Sequence, residues 1–270
     1  MAIVPGPQGP NGHPMTDDNL LIAMGVYPGI QHINKFGENE DVAANTAEDV
    51  WTGSSPYTYP TTATITHVSQ TADQEAMRGG RINIQGLDAN WELKNQSVLL
   101  DGTLTTTAVA LGTPLIRVFR ASVGSAVALD SSVRIHNAAE NVDYAILEVG
   151  HNQTMMAQYT IPAGFDGYMV SYYGTVVSDA TNNKAPDYVE FHLYARQHTG
   201  LAGGGSVTDW LIKHEVAIPI RGSGFQHEFK PYYKFPERTD IRLNAFCKTE
   251  PGHIHGGFDI IIVSKTQQND

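Results

Sequence analysis

The residues best suited to chemistry are histidines, of which the chain has eleven. His253 and His255 stand two apart in EPGHIHGGFD, followed by Asp259. On a strand, residues two apart share a face, so a His-x-His pair with a carboxylate nearby can grip one metal ion. The flanking PG and GG argue for a loop instead. The expectation is therefore an exposed turn and no metal, with His253 and His255 the candidates if one binds here. His192, His214 and His227 sit at or beside strand-like positions and read as surface or interface groups whose charge can change with pH.

Cys247 is the only cysteine, which rules out an intrachain disulfide and a multi-thiolate metal site. It lies in IRLNAFCK in phase with Ile241, Leu243 and Ala245, and reads as a small buried strand residue rather than a nucleophile. Glu38, Glu40 and Asp41 cluster in FGENEDVA, read as a polar loop. Asp88 in GLDAN and Asp101 before Gly102 look like turn residues that bond nearby backbone, not catalytic bases. The segment DATNNKAPD, Asp179 to Asp187, offers oxygen ligands that calcium could use, without an EF-hand pattern. No G-x-S-x-G, P-loop or H-E-x-x-H sequence occurs. The expectation is a non-enzyme that needs no cofactor.

Composition points the same way. Charged residues make up 17% of the 270, against about 25% in a typical soluble protein. Uncharged polar residues and glycine replace them, which suits short strands and tight turns. The formal net charge of −11 disfavours a nucleic-acid backbone or an anionic membrane surface as partner. No apolar run approaches the roughly 20 residues that span a bilayer. The opening MAIVPGPQGPNGHP lacks the basic and apolar regions of a secretion signal, so assembly in a cytoplasm is expected.

The elements that would position these groups are strands. Turn signals recur roughly every ten residues from Ala47 onward, the spacing of a sandwich or barrel. YVEFHLYARQ alternates cleanly, with Val189, Phe191 and Leu193 on one face. The second half has no helix-length period, and a jelly roll is its natural closure. The fold expected is all-β: two β-sandwich or jelly-roll-like modules over residues 27–150 and 151–270, behind an extended arm over 1–26. The arm holds three glycine-led triplets, with Pro5, Pro7, Pro10 and Pro14 as partner-binding residues. TDDNLLIAMG follows as the one helix candidate before residue 130, and HTGLAGGGSVTD is expected to be a mobile loop. Tyrosine doublets on strands put one ring on each face, and an outward ring serves protein contact or sugar stacking. Tyr172 and Tyr232 are the surface-contact candidates, with protein contact preferred.

Several segments together carry a family likeness. IQHINKFG, YTYPTTAT, INIQGLDANWELKNQSVLLDGTLTTT, PLIRVFRA and HNQTMMAQYTIPAGFDGYM resemble a group of virion structural proteins of tailed bacteriophages, particularly marine ones. The likeness spans roughly Gly29 to Tyr173, with Trp91 where the group's turn carries a tyrosine. It implies a non-enzymatic virion component, most of all a capsid decoration or cement protein. Its expected partners are the major capsid protein, other virion proteins and copies of itself, a trimer being the guess. A head–tail or tail-associated adaptor or fibre anchor, and a carbohydrate-binding adhesin module, are the alternatives.

Overall fold

The computed structural model describes residues 18–53, 55–124, 128–177, 185–199, 209–219 and 224–267. Pro5, Pro7, Pro10 and Pro14 lie outside these residues, as do most of DATNNKAPD and of the glycine-rich loop after Thr199.

Apart from one short helix and a single 3-10 turn, the regular structure among the described residues is strand. The helix, α1 (Asp18–Ala23), buries Leu21 and carries Asp18 in its first turn, where a carboxylate complements the helix dipole. It occupies the C-terminal part of the expected arm.

A smaller sandwich follows from alternating segments in the first half. One sheet orders as β6 (Val109–Leu115), β3 (Ile65–Gln70), β8 (Val133–His136) and β9 (Asp143–Leu147). The facing sheet is β5 (Leu93–Leu99), β4 (Arg81–Leu87) and β7 (Arg117–Val123). Ile82 and Ile84 of β4 meet Ile65, Val68, Ile135 and Leu147 in its core. Period-two alternation is what lets each strand give one face to that core.

The second sandwich is larger. Its sheets order β1 (Ile30–Val42), β16 (Gly252–Ser264), β11 (Phe165–Val177), β14 (Gly224–Phe235), and β10 (Gln158–Thr160), β15 (Thr239–Cys247), β12 (Tyr188–Gln197), β13 (Leu211–Pro219), with β2 (Ala47–Asp49) also on β15. All its named strand pairs are antiparallel, and the order is that of a jelly roll, with β12 and β13 a hairpin within one sheet and the strands from β13 to β16 alternating between the two. Val189, Phe191 and Leu193 are fully buried, as their alternation requires, and pack with Ile241, Leu243, Phe258 and Ile260.

The strands of the small sandwich lie between Ile65 and Leu147. β1 and β2 precede every strand of the small sandwich yet pair with β16 and β15 of the large one. The small sandwich is thus inserted between the first two strands of the large one, β1 and β2, and the rest.

Candidate functional site

Two constellations stand out, one at the junction of the sandwiches and one around Glu38. At the junction, the segments that carried the family likeness converge. Arg117 of PLIRVFRA forms a two-pronged ion pair with Asp240 of β15, Nε to Oδ1 at 2.8 Å and a terminal guanidinium nitrogen to Oδ2 at 2.9 Å. Arg117 is 2% exposed and Asp240 0%. Thr160 of YTIPAG donates to Asp240 Oδ1 at 2.7 Å, and Arg196 Nε and His198 Nε2 reach Oδ2 at 3.0 and 2.7 Å. The carbonyls of Pro60 and Ile116 each accept from Arg117 at 2.7 Å. A buried pair of this kind is tolerable only when its remaining donors and acceptors are met, as they are here. Burial works against the Asp240 carboxylate. The Arg117 charge, with the bonds from His198 and Arg117, outweighs it and holds the carboxyl far below the usual range.

Aromatic rings extend this pair into a ladder. The Arg117 guanidinium lies between Trp91 of GLDANW, at 4.9 Å, and Tyr59 of YTYP, at 5.2 Å. Arg196 sits between Tyr59 and Trp210, and Arg242 between Trp210 and Tyr194, all at 4.2–5.3 Å. Desolvated cation–ring contacts are worth up to about 2 kcal/mol each. The GLDAN turn sets Trp91: Asp88 Oδ1 accepts the amides of Asn90 and Glu92 at 2.8 and 3.1 Å, which is the turn chemistry the sequence suggested. Trp91 itself takes a left-handed backbone, φ 65°. That conformation is costly for a bulky residue and is held by the packing around it.

A second junction carboxylate, Asp49, meets Arg242 at 3.1 Å and the Tyr57 amide at 2.8 Å. Burial raises its pKa despite Arg242, so Asp49 and Asp240 are pushed in opposite directions. Such a split suits acid–base catalysis when substrate can reach it. Both carboxylates are fully buried.

Glu38 and the two nominated histidines form the second constellation. β16 carries His253 and His255 inside a 13-residue strand, so the expected turn at PGHIHGG is corrected. Gly256 and Gly257 mark close approach rather than a turn: a Cβ on Gly257 would lie 2.2 Å from the Lys35 carbonyl oxygen of β1. FGENEDVA is likewise strand, not polar loop, and register places Glu38 opposite His255. The Glu38 carboxylate is buried and reaches His253 Nε2 at 2.6 Å, His255 Nε2 at 3.6 Å and, from the loop after β9, His151 Nε2 at 3.6 Å. Burial lowers the pKa of His255, with His253 and His151 adding to the effect and Glu38 opposing it. Asp259, the carboxylate the sequence suggested beside these histidines, instead bonds His32, Asn34 and Ser171.

Of the surface tyrosines, Tyr232 is 49% exposed, in keeping with the expectation. Tyr172 is not: it is 0% exposed and belongs to the core. Its side takes the inner face of β11, where its hydroxyl meets His214 Nδ1 at 2.6 Å and its ring packs on Phe225 and Phe229. Tyr173 takes the other face. Tyr232, Tyr233, Leu211 and Ile212 are the large exposed apolar residues of β14 and β13, the terminal strands of the two large sheets. Cys247 is buried on β15, as expected, and burial followed by Glu48 and Asp41 pushes its thiol up to about 12.

The fold and junction define a class: an all-β protein of two sandwiches joined through a buried ion pair. Comparison with family models, with curated proteins and with solved structures gives no match to any of the three.

Proposed function

We propose that the chain is a non-enzymatic structural protein of a tailed-bacteriophage virion, acting as a capsid decoration or cement protein. It works in the particle, after assembly in the host cytoplasm, with the major capsid protein, other virion proteins and further copies of itself as partners.

The observation that carries this reading is the use made of the motifs behind the family likeness. Tyr59, Trp91, Arg117 and Thr160 come from four separate segments, and all meet around one buried carboxylate. A pattern spent on fastening two sandwiches together belongs to a protein whose task is to keep its shape under load. Jelly rolls occur in viral capsids and also in lectins, so the fold alone does not choose. The charge-poor composition and the exposed apolar residues at the β13–β14 edge favour protein contact.

The test is quantitative mass spectrometry of purified particles. Hundreds of copies per particle are expected for a shell protein. A small ring's worth would move the assignment to a head–tail or tail adaptor, and absence from particles would overturn it. Deleting residues 1–14 is expected to leave the fold intact and weaken particle binding.

A further inference from the structure

We infer that Glu38, His151, His253 and His255 form a binding site for one divalent transition-metal ion, zinc being the best match. This inference is independent of the virion reading and rests on the side chains around Glu38.

Four ligands of a tetrahedral ion held at about 2.0–2.1 Å stand about 3.4 Å apart. The separations from Glu38 to the three imidazoles, 2.6, 3.6 and 3.6 Å, bracket that value. Glu38, His253 and His255 already bring one ligand atom each within 4.8 Å of one another. The His253 and His255 rings lie side by side, centroids 4.5 Å apart. His151 stands against the other carboxylate oxygen, Oε2, whereas His253 and His255 meet Oε1, so it is the ligand that would have to swing furthest to join them.

The chemistry of the set selects the ion. Three imidazoles and one carboxylate suit zinc and its neighbours, whereas calcium and magnesium call for oxygen ligands. Glu38 is 5% exposed, and among the described residues its charged partners are histidines alone. A buried carboxylate needs an opposing charge, and neutral imidazoles do not supply one. An ion would. With neutral histidines the occupied site carries a net charge of +1, and Glu40 and Glu148 are close enough to influence the group electrostatically. An imidazole must be free of its proton on the nitrogen that binds an ion, so affinity should fall in acid.

The position of the site gives it a use. β1 and β16 are neighbours in the large sandwich, whereas His151 lies on the segment leading out of the small one. One ion would therefore tie the exit of the inserted sandwich to the jelly roll. The other clustered candidate, Glu190, His192 and Glu215, has a single histidine, and its Glu215 side chain is 48% exposed.

The full chain, stripped with a chelator, is titrated with Zn²⁺ by calorimetry and with Co²⁺ by visible absorption. One ion per chain, a tetrahedral cobalt spectrum and a rise in Tm are expected. His253→Gln with His255→Gln should weaken binding at least about a hundredfold, the upper end of what loss of a supporting partner alone costs. His32→Gln, away from the site, should leave it unchanged. Circular dichroism of the metal-free variants checks that each folds, and His151→Gln provides a ligand variant outside the sheet. Wild-type protein that binds no ion overturns the inference. So does unaltered binding by folded variants, or a stoichiometry set by scattered surface histidines.

Discussion

Replacing Asp240 with Asn keeps the side chain's shape and removes the one charge that Arg117, Arg196 and His198 all face. Arg117 then stays buried, still bonded to the Pro60 and Ile116 carbonyls, with no carboxylate in reach of its other edge. Stranding one partner of a buried pair costs about 3–5 kcal/mol, because the remaining charge stays desolvated. Arg196 is the more accessible of the two guanidiniums and can turn toward water, which places the expected loss at about 3–4 kcal/mol. At about 2–4 °C per kcal/mol for a unit of this size, Tm should fall by about 6–16 °C. Urea unfolding followed by tryptophan fluorescence is the assay, since Trp91 and Trp210 both stack on cations of this network. Arg117→Met, Asp240→Asn and the double variant complete a thermodynamic cycle, with a coupling of about 2–3 kcal/mol expected.

The pH dependence provides a separate check. Asp240 titrates in the folded protein well below its unfolded value of about 3.9, so the unfolded chain takes up the proton first. Its stabilisation is complete above about pH 5 and is lost as pH falls through the unfolded value toward the folded one. The gap between wild type and Asp240→Asn should therefore hold steady down to about pH 5 and narrow from there as pH falls to about 3. A variant within about 1 kcal/mol of wild type, or a gap that ignores pH, would refute the junction as the main lock.

Three further outcomes follow from buried groups. Burial, with Arg120 adding to it, lowers the Lys35 ammonium well below its usual range, so the unfolded chain holds that proton longer as pH rises. Stability should increase between the folded value and about pH 10.4, and Lys35→Met should abolish the increase in urea midpoint. Tyr172→Phe removes the bond to His214 and should cost about 0.5–1.5 kcal/mol, measured by urea unfolding, with no change in oligomeric state. Cys247 should resist alkylation at pH 8 until urea unfolds the chain, since the thiolate is the reactive form; labelling of native protein at the rate of a free thiol would contradict its burial.

Local chemistry was legible in the sequence and long-range pairing was not. The alternation of Val189, Phe191 and Leu193 and the GLDAN turn depend on neighbours a few residues away, and both are as expected. Glu38 and His255 are more than two hundred residues apart, and only the β1–β16 register makes them neighbours. Nothing in FGENEDVA signals that pairing: its acids suggest solvent, and glycines at 256 and 257 look like turn residues until a second backbone is seen against them. The same non-local pairing moved β1 and β2 out of the first module. Tyr172 shows the limit of doublet reasoning, since alternation says that one ring of the two turns inward without saying which. The meeting of Arg117 with Asp240 was not legible, because charge complementarity across two modules leaves no spacing to read.

Because β1 closes against β16, synthesis itself imposes an order of events. At ribosomal rates of about 5–20 residues per second, the leading strand waits on the order of 10–40 s for the segment that will cover it. The inserted sandwich has all its strands within reach during that interval and can set first. A nascent chain caught partway would then carry one finished body and one bare ribbon, and that ribbon would be the place for a chaperone or a stray sister chain to attach.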